Sequence, residues 1–345
     1  MELTLNLDKI QSDNVSKYAK TILDKQNPYK NFKIENYKYA QLHRDIRSEI
    51  LQRDIDISEL LKISKNISTF SSNPVDLASN LNQWKYKNDD SFFRVSSLLK
   101  RDTSSINLDL IDDKNLFLDI SQINNNIHFL KSSKNEINLI IMNTKSKDEY
   151  PKSIFFDISN NSNLNVIHFN ISNFKSFLYF ESNLQDNSHL NFVSFQSDNI
   201  HTRNEFYASL NLECNFDLFG LNINNYGVND NYSFIQHLKP SSSSREIFKS
   251  IVEKGAITNF QGKIYVDSIA QKTDGYQMSR SLLLDDISKA NNKPELEIYA
   301  DDVKCSHGST VSKLDEDQIY YFKSRGIDSE MAKKILKKAF IIEII

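Results

Sequence analysis

Glycine and proline are scarce, with 7 Gly and 5 Pro in 345 residues. The usual makers of sharp turns are therefore few. Asn, Asp and Ser must supply most reversals, which they do by tolerating left-handed backbone and bonding to their own chain. With only two cysteines, Cys214 and Cys305, a disulfide framework is excluded, and a reducing, cytoplasmic compartment is the simpler expectation. There is no basic excess. Forty-two Lys and Arg stand against 45 Asp and Glu, a net charge of −3, which gives no general reason to bind nucleic acid or an anionic membrane. No apolar run approaches the roughly 20 residues a membrane-spanning helix needs. The opening "MELTLNLDKIQSDNVSKYAK" lacks a basic flank before an apolar core, so it does not read as a secretory signal. Nor is there a phosphate-binding loop: the only Gly-Lys pair, Gly262-Lys263, is followed by Ile264. Any nucleotide chemistry would have to come from a partner.

What the chain does contain falls into three parts. Residues 1–72 read as a helical N-terminal domain, with Val15, Tyr18, Ala19 and Ile22 on one helical face. Residues 73–312 read as a β-rich core, in which short apolar runs such as "NLFLDIS", "NIHFLK", "INLIIMN" and "SIFFDIS" alternate with polar turns. Within it "NSNLNVIHFN", "NSHLNFVSFQ" and "ECNFDLFGLN" begin at Asn161, Asn187 and Glu213, a constant period. Leu164, Leu190 and Phe216 share a column; so do Val166, Phe192 and Leu218, and Phe169, Phe195 and Leu221. Asn165, Asn191 and Asp217 form a polar column. Such a repeat suggests the stacked coils of a β-solenoid; a meander with fortuitous spacing is the alternative. Residues 313–345 read as a helical C-terminal domain. Asp315 caps "EDQIYYFKS", Gly326 ends that helix, and Asp328 caps "SEMAKKILKKAFIIEII". Ala332, Ile335, Leu336, Ala339 and Phe340 form the apolar face of the second helix.

The chemistry-bearing residues are few. In extended chain Cys305 and His307, two apart, point to the same face. Thiolate and imidazole suit zinc, iron or an iron–sulfur cluster, yet two ligands hold a metal poorly and call for others from elsewhere or from another chain. The competing reading is a small apolar Cys and a surface His at a strand end. A catalytic Cys–His pair is less supported, because nothing resembles a nucleophile elbow. Asp301, Asp302 and Glu297 offer oxygen ligands, but adjacent strand carboxylates face opposite ways, which favours solvated turns. Cys214, inside the repeat, reads as a buried structural thiol. Lys333, Lys334, Lys337 and Lys338 make a basic helical stripe better suited to protein docking than to DNA reading.

Three stretches resemble a known family: "HLKPSSSSREIFKSIVEKGA", "FQGKIYVDSIAQKTDGYQMSRSLLLDD" and "KPELEIYADDVKCSHGSTVSKLDEDQIYYFKSRGIDSEMAKKILKKAFIIEI". They are similar to the SufB/SufD family, the scaffold proteins of the SUF iron–sulfur cluster assembly machine. The run Cys305-Ser306-His307-Gly308 and the low cysteine count resemble its SufD branch; SufB members carry His-Glu-Ala where Ser306-His307-Gly308 stands, and further cysteines. A SufB-like paralogue is the alternative. At the N-terminus "NPYKNFKIENYKYAQL" is similar to a family motif, with Tyr37 in place of Trp and Ala40 in place of Thr. The resemblance implies a right-handed parallel β-helix flanked by helical domains. It implies a non-enzymatic subunit acting in cluster assembly and iron acquisition. It implies pairing with SufB through the β-helix, docking of the ABC-type ATPase SufC on the C-terminal helices, and a homodimer when isolated. The cluster would be transient, at the interface with SufB, and the chain itself would bind no nucleotide. The position matching His307 would act in nascent cluster assembly, with that of Cys305 beside it. A stand-alone β-helix enzyme acting on polysaccharides is the other class considered; the central repeat offers Asn, Ser and His168 but no recurring acid pair.

Overall fold

A computed structural model describes residues 70–71, 103–111, 114–143, 151–170, 175–197, 201–342 and 344. The expected helical unit over 1–72 lies outside these residues, apart from Phe70–Ser71.

The strands run, in chain order, β1 (Phe70–Ser71), β2 (Thr103–Asn107), β3 (Asn115–Asp119), β4 (Asn126–Lys131), β5 (Asn138–Asn143) and β6 (Lys152–Ile158). Next come β7 (Asn163–Asn170), β8 (Lys175–Leu184), β9 (His189–Ser197), β10 (His201–Leu210), β11 (Asn215–Asn224) and β12 (Val228–His237). The last five are β13 (Ser243–Val252), β14 (Ile257–Val266), β15 (Asp274–Leu283), β16 (Lys289–Ile298) and β17 (Lys304–Lys313). Even-numbered strands, with β1 added, form a nine-stranded sheet ending at β16; odd-numbered strands form an eight-stranded sheet ending at β17. From β2 onward every pairing is parallel and skips one strand, so the chain winds as a solenoid with two walls.

The repeat columns are the register of the second sheet. Leu164 pairs with Leu190 and Leu190 with Phe216; Val166, Phe192 and Leu218 follow in the same way. These side chains are buried between the walls. Phe169, Phe195 and Leu221 also align, but at odd offset, so strand alternation puts them on the outer face. Phe169 and Phe195 stack there at 5.1 Å. Inside, the rings of Phe192, Phe206, Phe248 and Phe260 touch in sequence, at 5.5, 6.0 and 4.8 Å between centroids. The first sheet differs. Its strands β8, β10 and β12 are buried on both faces, and its outer face holds an ion-paired Arg203, 2.9 Å from Glu205 and 2.6 Å from Asp230.

The turns explain how the chain manages with so little glycine. Asn161, Asn187, Glu213, Ser241 and Lys272 all take positive φ, between 55° and 62°. Asn tolerates a left-handed backbone, whereas Glu213 and Lys272 are strained by it. Each is held by a bond to the turn of the next coil: the amide of Asn161 donates to Asp186 O, of Asn187 to Leu212 O, of Glu213 to Pro240 O, of Ser241 to Gln271 O and of Lys272 to Asp302 O, at 2.6–3.1 Å.

After β17 come α1 (Glu316–Ser324) and α2 (Ser329–Ile341). Asp315 accepts from the Asp317 amide and Asp328 from the Met331 amide, which satisfies one free helix N–H in each case. Gly326, at φ 81°, ends α1. The end of α2 lies on the outer face of the second sheet: Ile341 and Ile344 pack with Leu221 and Ile247, and Lys249 Nζ donates to Phe340 O at 2.6 Å. Among the described residues no helix is long and apolar enough to cross a membrane.

Candidate functional site at the open end of the solenoid

Among the described residues β17 is the terminal strand of its sheet, paired on one side only. It carries both expected metal residues. Cys305 pairs with Gly275 and His307 with Gln277, so the parallel register sets them on the core-facing side, as Gly275 and Gln277 are. Cys305 is half-buried against Ile264, Val266, Ala270 and Ala300. A Cβ on Gly275 would lie 3.2 Å from its Sγ, so the glycine leaves the thiol its room. His307 is exposed, because no described strand stacks beyond it. Burial pushes the Cys305 thiol above its ordinary range, and the charge of Asp274 adds to the effect, while a backbone hydrogen bond from Gly275 opposes it. A protonated thiol is a poor ligand until a metal or a cation displaces its proton.

The other sequence candidates do not join this pair. Asp301 and Asp302 are exposed in the turn before β17, and the Asp302 amide donates to Gln271 Oε1 at 2.9 Å. Glu297 pairs with Lys263 and accepts from the Tyr299 hydroxyl at 2.8 Å. Among the described residues no three His, Cys, Asp or Glu side chains converge as a metal site. Cys305 and His307 thus stand as two potential donors on a terminal strand, joined by no third such group among the described residues. Cys214 is buried, its thiol raised by burial and 3.0 Å from Gln185 O, as a structural thiol should be. His168 is buried too, bonded through Nδ1 to Ser194 at 3.1 Å and held neutral by burial, its pKa down to about 3. Gly262-Lys263 lies in mid-strand β14 and precedes no helix. The lysine stripe divides: Lys337 faces Glu253 of the solenoid at 3.8 Å, whereas Lys334 and Lys338 are exposed.

The pattern reading missed the interior behind His307. Glu246, Gln277 and Ser233 are fully buried between the walls, where earlier coils hold Leu and Phe. The signal was an acidic residue at an inward position of "SSSREIFKS", but it emerges only once the coils are in register.

Residues 125–340 match the family model described as "SUF system FeS cluster assembly, SufBD core domain". The Iron-sulfur cluster assembly protein SufD of Escherichia coli (strain K12) is 42% identical over 117 residues, 34% of this chain and 28% of that protein. Protein ABCI7, chloroplastic, of Arabidopsis thaliana is 46% identical over 107 residues, 31% of this chain and 22% of that protein. The Iron-sulfur cluster assembly protein SufD of Plasmodium berghei (strain Anka) is 25% identical over 359 aligned residues, 86% of this chain and 26% of that protein. The chain thus spans between a fifth and a third of the length of these relatives.

Proposed function

Since this chain belongs to the SufBD core family of SUF iron–sulfur cluster assembly proteins, we propose that it is a non-catalytic scaffold subunit on which a cluster is built as cargo. In this reading a SufB-type paralogue joins the β-helix, and a SufC-type ATPase docks on the C-terminal helices and supplies ATP hydrolysis. The chain works in a cytoplasmic compartment, contributes to iron acquisition, and pairs with itself when isolated. Helical domains flank the solenoid at both ends. The winding is right-handed, as crossovers between parallel neighbours of one sheet almost always are.

One observation carries this reading. Cys305 and His307 share the core-facing side of a terminal strand that has no described neighbour beyond it. Two soft donors on an unfinished edge are completed most simply by a second chain bringing its own strand and ligands. His307 is the stronger ligand, since its ring is exposed; the half-buried, proton-holding Cys305 is the weaker one.

The test is the complex purified with its SufB-type and SufC-type partners. His307→Ala should leave the complex assembled by size exclusion and sharply reduce cluster absorbance and iron content. Cys305→Ala should reduce them less. Normal cluster yield from the His307 variant refutes the metal role, and a complex that falls apart makes His307 a packing residue.

A further inference from the structure

Along one interior column of the second sheet the register runs Leu218, Glu246, Gln277, His307. The column turns from apolar to polar as it nears the open end. Gln277 Nε2 donates to Glu246 Oε2 at 2.6 Å. The facing wall makes room for this pair. Gly262 stands there, and a Cβ on it would lie 2.3 Å from Gln277 Nε2 and 2.8 Å from Ser233 Oγ. Gln277 and Ser233 therefore converge on the space the glycine leaves, and Glu246 is bonded to the same amide.

This group is incompletely satisfied. Glu246 Oε1 and Gln277 Oε1 are buried with no hydrogen-bond partner, and Ser233 Oγ has only the Glu246 carboxyl beside it to bond to. No basic side chain pairs with the carboxyl of Glu246 among the described residues. Buried polar atoms are nearly always paired, so two orphaned oxygens beside a hydroxyl in one compartment mark a place for something else. One carboxylate with an amide and a hydroxyl oxygen is a hard, oxygen-only donor set, the kind that suits Mg²⁺, Mn²⁺ or Fe²⁺ with some water retained.

We propose that Glu246, Gln277 and Ser233 form an interior site for a divalent metal cation, one coil behind His307. It goes beyond the half-site on β17, because its ligands are oxygens of this chain alone. Burial raises the Glu246 carboxyl to about 7, so a cation entering near neutral pH displaces a proton already loosely held.

The experiment uses the full chain with Mn²⁺ as probe, read by the loss of free-ion electron paramagnetic resonance signal and by calorimetry. Wild-type protein should bind Mn²⁺ saturably at one site and gain thermal stability with it. Glu246→Gln, nearly isosteric and neutral, should lose that binding while eluting as the wild type does. Ser233→Ala, which removes one oxygen without changing charge, should weaken binding roughly 10–100-fold and keeps the test open if Glu246→Gln does not fold. His307→Ala should retain Mn²⁺ binding, which separates this site from the edge-strand reading. Absence of saturable binding by the wild type, or binding undiminished in both interior variants, overturns the proposal.

Discussion

At the scale of single residues, the clearest consequence belongs to Leu190. It is fully buried, between Leu164 on one coil and Phe216 on the next. Leu190→Ala leaves a cavity bounded by two coils that cannot collapse without breaking their shared register. The expected loss is about 2–5 kcal/mol, measured by urea unfolding. A second consequence concerns acid. His168 and His237 are both held neutral by burial, each near pKa 3 against an ordinary 6.5. The unfolded chain binds protons below pH 6.5 that the folded chain refuses. Stability from these two groups is therefore full above that pH and falls as pH drops toward 3, by an amount on the order of a few kcal/mol. The double variant His168→Gln/His237→Gln should show a shallower fall in melting temperature between pH 7 and pH 4. An equal slope would show that other groups govern acid unfolding. That Cys305 and His307 share a face was legible at this scale, since an i, i+2 pair in extended chain does so whatever surrounds it. Glu246 was not. Its partner Gln277 is 31 residues on, and its role depends on which wall faces it.

At the scale of elements, the regular coils were legible and the longer ones less so. His168 meets Ser194 at 26 residues, but Asn215 meets Ser243 at 28 and Glu246 meets Gln277 at 31. A fixed period finds the middle coils and loses those at either end, because turn residues gained or lost shift the spacing while the strand register persists. The column of Phe169, Phe195 and Leu221 was legible as apolar. That it faces outward, toward Ile341 and Ile344, needed the landing place of the terminal helix. The helix caps were read from local chemistry alone, since an Asp before a helix satisfies the same N–H groups in any fold. Asp328→Ala should thus cost about 1 kcal/mol and fray the first turn of α2, visible as faster amide exchange at Met331. Protection at Met331 unchanged by the substitution would show that packing, not the cap, holds that turn.

At the scale of the whole molecule, the terminal helices and the solenoid should be separable. Deleting residues 315–345 removes the packing of Ile341 and Ile344 on Leu221 and Ile247, and the bond from Lys249 to Phe340, but no strand. The truncated chain should keep its β-rich circular dichroism and, on the proposed function, should still pair with a SufB-type protein while failing to bind the ATPase. Retained ATPase binding would place that contact elsewhere. The one-sided pairing of β17 has a consequence of its own. In a stack where each coil rests only on its neighbours, an inner coil must break two interfaces to open and the last coil only one. The solenoid should therefore breathe from the end that carries Cys305 and His307, with amide protection rising coil by coil toward the interior. A partner seated on that end would do more than lend ligands. It would convert a fraying terminus into an inner rung, and the slowest-exchanging amides of the free chain would then extend through β17.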